Sequence, residues 1–435
     1  MRALPNIKTK HQKHYGVGGV MKRREVIGWA AAAMVLAMMP GASAEEPPIK
    51  IGMSMPQTGG LAGGGKASLL GIEIWRDDVN ARGGLLGRKV ELVVYDDKSS
   101  ASETPALYAK LLDIDKVDLL FAPYATVPTA PIMPLVKQRG MLLMGNFSFQ
   151  VNSKVHHDMW FNNAPWGPAD SWATGFLTLG QKAGGKTVAI LSADQEFAQN
   201  IATTARDVAK KLNLPVVFDQ AYPPSTAEFS SIIRALDAAK PDIVFVASYP
   251  PDSAAILRAV NEIGVGDNVK IFGGAMVGLQ FAAVMENLGS LLNGVVNYNT
   301  WLPEPSMYFD GTKEFFEKYS KRAVEAKVDP LGYYLAPYGY AMGQLIEEAV
   351  NATKSLDQKA LAKYLRENTH KTIVGPITYA EDGEWKESAT LEAQFRGVKD
   401  KNMDQFRSAG KQVILFPDRL KTGDLITPFE DARNK

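Results

Sequence analysis

Catalysis needs side chains of particular types within reach of one another, and this sequence offers few such sets. It has neither a Gly-x-Ser-x-Gly elbow nor a His-Glu-x-x-His helix, so serine hydrolases and zincins lack their starting residues. It has no cysteine, which excludes disulfides, thiol nucleophiles and cysteine-ligated metals. The adjacent His156 and His157, with Asp158 beside them, fall in an irregular polar stretch and read as solvated residues rather than metal ligands. Asp96-Asp97 closes a predicted strand, where capping accounts for it more simply than acid–base chemistry. Gly60, Gly65 and Lys66 nearly complete a P-loop, but Ala67 stands where a Ser or Thr must hold magnesium. The run Gly63 to Ser68 also lacks the last Gly or Ala of a dinucleotide fingerprint. That glycine-rich stretch reads instead as a flexible loop rimming a cleft, or as a carboxylate-binding helix end. No catalytic residue, metal or cofactor is expected.

The informative side chains are aromatic. Tyr124, Phe147, Phe149, Phe197 and Tyr249 each follow the carboxyl end of a predicted strand. In open α/β sheets ligands bind at those ends, so the five rings point to one aromatic-lined cleft shared by two lobes. Tyr333, Tyr334, Tyr338 and Tyr340 straddle a helix start and read mostly as core.

The elements that would position these residues alternate from Pro48 onward. Strands are expected at Ile49 to Met55, Lys89 to Asp97, Val117 to Pro123 and Met141 to Asn146, separated by helices at Lys66 to Ala81, Ser102 to Leu112 and Val127 to Arg139. After a polar linker the cycle restarts, with strands at Thr187 to Ser192, Val216 to Tyr222, Ile243 to Ser248 and Lys270 to Gly274. Two α/β lobes with parallel sheets follow from that rhythm. Beyond Trp301 it breaks into helices with too few strands for a third sheet, so this part should complete the first two lobes and build a hinge of several strands. The expected division is lobe I from 48–160 plus about 302–372, lobe II from 161–301 plus about 373–415, and a tail from 416–435.

The first 44 residues are read separately. Lys22-Arg23-Arg24, the apolar run Val26 to Met39 and the small residues Ala42 and Ala44 form a secretory signal with cleavage after Ala44. Residues 1–20 then read as an upstream extension. Removing 1–44 turns the formal charge from +1 to 41 basic against 46 acidic residues, a net of −5. An acidic exported chain is not expected to bind nucleic acid or anionic membrane.

Lys50-Ile51-Gly52-Met53, Gln57-Thr58-Gly59-Gly60, the segment Asp78-Val79-Asn80-Ala81-Arg82-Gly83-Gly84-Leu85-Leu86-Gly87-Arg88 and Val93-Val94-Tyr95-Asp96-Asp97 together resemble the leucine/isoleucine/valine-binding-protein-like family of periplasmic receptors. The resemblance in spacing runs from 48 to about 400. It implies a type I periplasmic binding protein, two Rossmann-like lobes joined by a multi-strand hinge, a small-molecule solute, an ABC permease partner in the inner membrane, and a monomer. The ligand-binding residues it implies, together with the rings above, are Gln57, Tyr124, Ala125, Thr126, Asn146, Phe147, Ser148, Trp166, Phe197, Tyr249, Ala275 and Met276. Amino-acid receptors of the family hold the ligand ammonium with an acid near Ala275 or Met276, and none stands there. Burying an ammonium without a partner is costly, so a carboxylate gripped near Thr126 and Ser148, with an aromatic or aliphatic body, is the expected solute. An acid from elsewhere, such as Asp194 or Glu196, would restore an amino-acid site, and amides and ureas remain open. Secreted protein should begin at Glu45, and an intact-mass measurement still containing Trp29 would contradict the assigned cleavage site.

Overall fold

Parallel strands covered on both faces read as nearly unbroken apolar runs, and the central strands of this protein have that character. In the computed structural model, which describes residues 14–16 and 46–434, β1 (Ile49–Met55), β2 (Val90–Asp96), β3 (Leu119–Tyr124), β4 (Leu143–Asn146) and β5 (Trp160–Asn162) form a parallel sheet in the order β2-β1-β3-β4-β5. The pleat sorts β3 between two cores: Leu119 and Phe121 face one, Leu120 and Ala122 the other. The expected signal segment and its cleavage site lie outside the described residues. Among the described residues no helix is long and apolar enough to cross a membrane.

The second sheet holds β6 (Val188–Ala193), β7 (Val216–Tyr222), β8 (Ile243–Ser248), β9 (Ile271–Met276), β10 (Val296–Asn299), β13 (Leu391–Phe395) and β14 (Gln412–Phe416) in the order β14-β13-β10-β9-β8-β6-β7. β6 to β10 run parallel, β13 pairs antiparallel with β10, and β14 pairs antiparallel with β13. Two short strands, β11 (His370–Thr372) and β12 (Gly375–Ile377), pair only with each other. The C-terminal residues also pack here: Phe429 is buried and stacks on Phe272 with ring centres 5.1 Å apart.

The chain passes between the two sheets at 163–170, 300–311 and 378–390. Three connections make the hinge. Glu384 on the third ties it back to the first lobe, accepting from Asn162 Nδ2 at 2.8 Å and Trp160 Nε1 at 3.3 Å.

Several expectations are corrected. The predicted helix Val127 to Arg139 is broken into a short turn of helix at Thr126–Thr129, a 3-10 turn and a helix at Met133–Gln138, because Pro128, Pro131 and Pro134 each remove a backbone donor. The glycine-rich stretch is not a flexible loop: the first long helix, Ala62–Ala81, begins inside it. Asp96 caps no helix but accepts the N–H groups of Gln57, Thr58 and Lys98, while Asp97 accepts from Ser54 and Ser99, so the pair staples the loop after β1. His157 is not solvated; it is buried, with Nε2 2.8 Å from the Met141 carbonyl, and burial lowers its pKa.

The Ala62–Ala81 helix packs along the Ala336–Thr353 helix through a seam of glycines. A β-carbon on Gly71 would overlap the Ala336 carbonyl, one on Gly339 the Ser68 carbonyl, and one on Gly343 the Trp75 ring. In an exposed helix a Gly→Ala change gains about 1 kcal/mol. At this seam the sign should reverse: Gly339→Ala should lose about 1–3 kcal/mol in urea unfolding, and a gain in stability would refute the close approach.

Candidate functional site

The cleft wall of the first lobe is built by two loops that leave adjacent strands. β3 ends at Tyr124 and β4 at Asn146, and the next residues turn sharply: Ala125 has φ +83° and ψ 162°, and Phe147 has φ +57°. Residues with side chains rarely adopt these angles, and each costs on the order of 1–3 kcal/mol unless its surroundings hold it. Here the Ala125 N–H donates to the Asn146 carbonyl at 3.1 Å, locking one loop to the other. The Phe149 N–H donates to Thr126 Oγ1 at 2.9 Å, and Ser148 Oγ donates to Thr129 Oγ1 at 2.9 Å, below the surface.

Those turns put Tyr124, Ala125, Thr126, Phe147 and Trp166 around a small inner chamber of about 30 Å³, closed from the other lobe by Phe197 and Tyr249. The rings meet edge to face: Phe147 stands 4.8 Å from Trp166, 5.1 Å from Tyr334 and 4.9 Å from Tyr338. Outward lies a larger cavity of about 370 Å³, lined by Leu61 and Gly64 from one side and by Tyr249, Val277 and Phe281 from the other. The helical glycines earn their place here, since a β-carbon on Gly64 would run into the Tyr124 ring.

Six residues expected at the site do not line these chambers, and the first, Phe149, packs edge-on behind them against Trp166, Trp172 and Phe197. The Gln57 N–H donates to Asp96 Oδ1 at 2.9 Å in the stapled loop. Asn146 turns inward to Ser68 Oγ at 3.0 Å, and Ser148 is committed to Ala125 and Thr129 beneath the wall. Ala275 and Met276 are fully buried in β9, and the Met276 main chain is held by the Asn297 amide. Conversely, Tyr334 and Phe281 line the cleft, 5.7 Å apart, although the sequence suggested core for the first and nothing for the second. Both sit in short irregular segments without periodicity, Phe281 just before a helix and Tyr334 just before another.

The carboxylates near the cleft already have donors. Asp329 borders the outer cavity and accepts the N–H groups of Ala282, Leu331 and Gly332 at 2.8, 2.9 and 3.0 Å. Burial raises its pKa, and those three donors pull it back. Asp252, under Tyr249, takes the Tyr222 hydroxyl at 2.9 Å and the Tyr249 N–H at 3.1 Å. Asp194 and Glu196 are exposed and line neither chamber. Among the described residues no group of three or more His, Asp or Glu side chains could hold a metal ion.

Residues 48–392 match the family model described as a periplasmic binding protein. The chain belongs to that family. Its members of the leucine/isoleucine/valine-binding type supply the similar proteins: the Leu/Ile/Val-binding protein of Escherichia coli (strain K12) is 25% identical over 357 residues, covering 82% of this chain and 92% of that protein. Among solved structures, the branched-chain amino acid transporter substrate-binding protein LivJ of Streptococcus pneumoniae, in complex with isoleucine, has a TM-score of 0.67 at 18% identity over 85% of this chain and all of that one. A solute-binding protein of an ABC transporter from R. palustris, in complex with benzoate, has a TM-score of 0.66 at 18% identity over 85% of this chain and 95% of that one. Two lobes of parallel sheet with a cleft at the strand carboxyl ends are thus the fold of a type I periplasmic binding protein.

In this binding-protein wall Thr126 supports the backbone before it can serve a ligand. Thr126→Val strands the buried Phe149 N–H and should cost about 1–3 kcal/mol of stability, while Thr126→Ser should keep most of it; equal stability of the two variants in chemical denaturation would show that the hydroxyl carries no such load.

Proposed function

We propose that the protein is the periplasmic solute receptor of an ABC importer, closing its lobes around a small carboxylate-bearing solute with an aromatic or branched aliphatic body and presenting it to an inner-membrane permease. Membership of the periplasmic binding protein family supports the receptor role. The observation that carries the ligand class is the lining of the cleft: rings from both lobes surround the inner chamber, and among the described residues no carboxylate lines it. An α-amino acid would bring an ammonium into this lining, and desolvating it without a partner costs several kcal/mol. A carboxylate meets hydroxyl-bearing residues of the lining instead, Thr126 and Tyr249. Its hydrocarbon part gains roughly 25 cal/mol per Å² buried against the rings. The outer cavity, about 370 Å³, is large enough for a single ring. The benzoate complex of the R. palustris protein provides a precedent for an aromatic acid in this fold, and the isoleucine complex of LivJ one for an amino acid.

A thermal-shift panel separates the two. Benzoate, hydroxybenzoates or branched 2-oxo acids should raise the melting temperature, because a ligand at a hundred times its Kd adds about 2.7 kcal/mol to the folded state. Leucine, isoleucine and valine should not. Low-micromolar leucine binding, with no response to benzoate or to the 2-oxo analogue of leucine, would overturn the assigned ligand class in favour of an amino-acid receptor.

A further inference from the structure

We propose that Trp166 is a specificity-determining donor of the cleft, its indole N–H hydrogen-bonded to the carboxylate of the bound solute. This rests on the carboxylate reading above and adds the group that recognises it. Trp166 is 1% exposed, lines the inner chamber, and its Nε1 has no hydrogen-bond partner within the protein. A buried N–H without an acceptor is destabilising and is rare in folded proteins. The ring cannot swing away to find one. Phe147 meets it edge-on at 4.8 Å, Trp172 lies at 4.9 Å on another side, and the Ser171 hydroxyl holds its carbonyl. Trp172 and Trp385 also have unpartnered indole nitrogens, but neither lines this chamber.

The chemistry of an indole N–H is one-sided: it donates and never accepts. It therefore favours an anionic oxygen over an ammonium or an apolar group. The inner chamber, about 30 Å³, is the size of a small polar group rather than of a ring, which would remain in the outer cavity. Thr126 lines the same chamber; since its Oγ1 accepts from Phe149, its own proton remains to be donated. Trp166 and Thr126, each with a proton to donate, then border one small space.

Trp166 also has an unusual place in the chain. It stands in the first connection between the lobes, and the next residue, Gly167, has φ +56° and packs so tightly on the third connection that a β-carbon would strike Ser388 and Trp385. A solute bonded to Trp166 is therefore held by the hinge as well as by the two lobes.

The test is isothermal calorimetry of wild-type protein and Trp166→Phe with benzoate and with nitrobenzene, which has the same shape and is a poor acceptor. Benzoate affinity should fall about ten- to a hundred-fold in the variant, as expected for loss of one bond to a charged group, with nitrobenzene little changed. Equal benzoate affinity in both proteins, or a parallel loss of both ligands, would overturn the donor role and leave Trp166 as packing. Should the variant fail to fold, indole N–H resonances of wild-type protein give the answer: benzoate should move one of them downfield, and a spectrum in which none moves refutes the bond. Wild-type protein that binds leucine and neither benzoate nor a 2-oxo acid would refute the functional reading itself, a result distinct from either of these.

Discussion

The first-lobe wall of the cleft depends on one backbone hydrogen bond, from the Ala125 N–H to the Asn146 carbonyl. Without it, two residues with side chains would have to hold left-handed backbone conformations at their own expense. With it, the loops after β3 and β4 are a single rigid edge, and the Phe149 bond to Thr126 extends that edge by another step. Strain here is a means of aim: the turn at Phe147 sends its ring against Trp166, Tyr334 and Tyr338 at once. Every ring on the opposite lobe closes against a surface set in this way.

That edge also explains how much of the site was legible in the sequence. The strands were, because buried parallel strands such as Ile243–Ser248 are apolar throughout and their carboxyl ends mark where a cleft must open. Seven of the expected residues surround the inner chamber for that reason. Which member of a neighbouring pair faces the chamber was not legible. Direction alternates along a strand and is reset by each positive φ, so Phe147 points in while Asn146 and Ser148 point back into the lobe. Short elements were missed for a related reason. β5 has three residues and β10 reads Val-Asn-Tyr-Asn, so neither shows a pattern until neighbouring strands supply the pairing.

Electrostatics in the cleft is decided by prior commitments more than by the count of charges. Asp329 borders the outer cavity and Asp252 lies under Tyr249, and each already accepts from backbone N–H groups or a tyrosine hydroxyl. Each carboxylate orders its own wall. Asp329 joins the segment after the Thr312–Ala326 helix to the loop carrying Phe281, and so fixes two rings of the lining relative to each other.

The glycine seam fixes an order of events in the life of the chain. The helix that covers β1 on one side, Ala62–Ala81, has its closest packing partner in Ala336–Thr353, near the other end of the sequence. The first lobe therefore begins early and is finished late, and closing so long a loop carries an entropic cost. A growing chain would hold an uncovered apolar helix face until its last third had been made. The parallel strands β6 to β10 of the second sheet, contiguous in sequence, are all made before that partner helix, while β13 and β14, which widen the sheet, follow it.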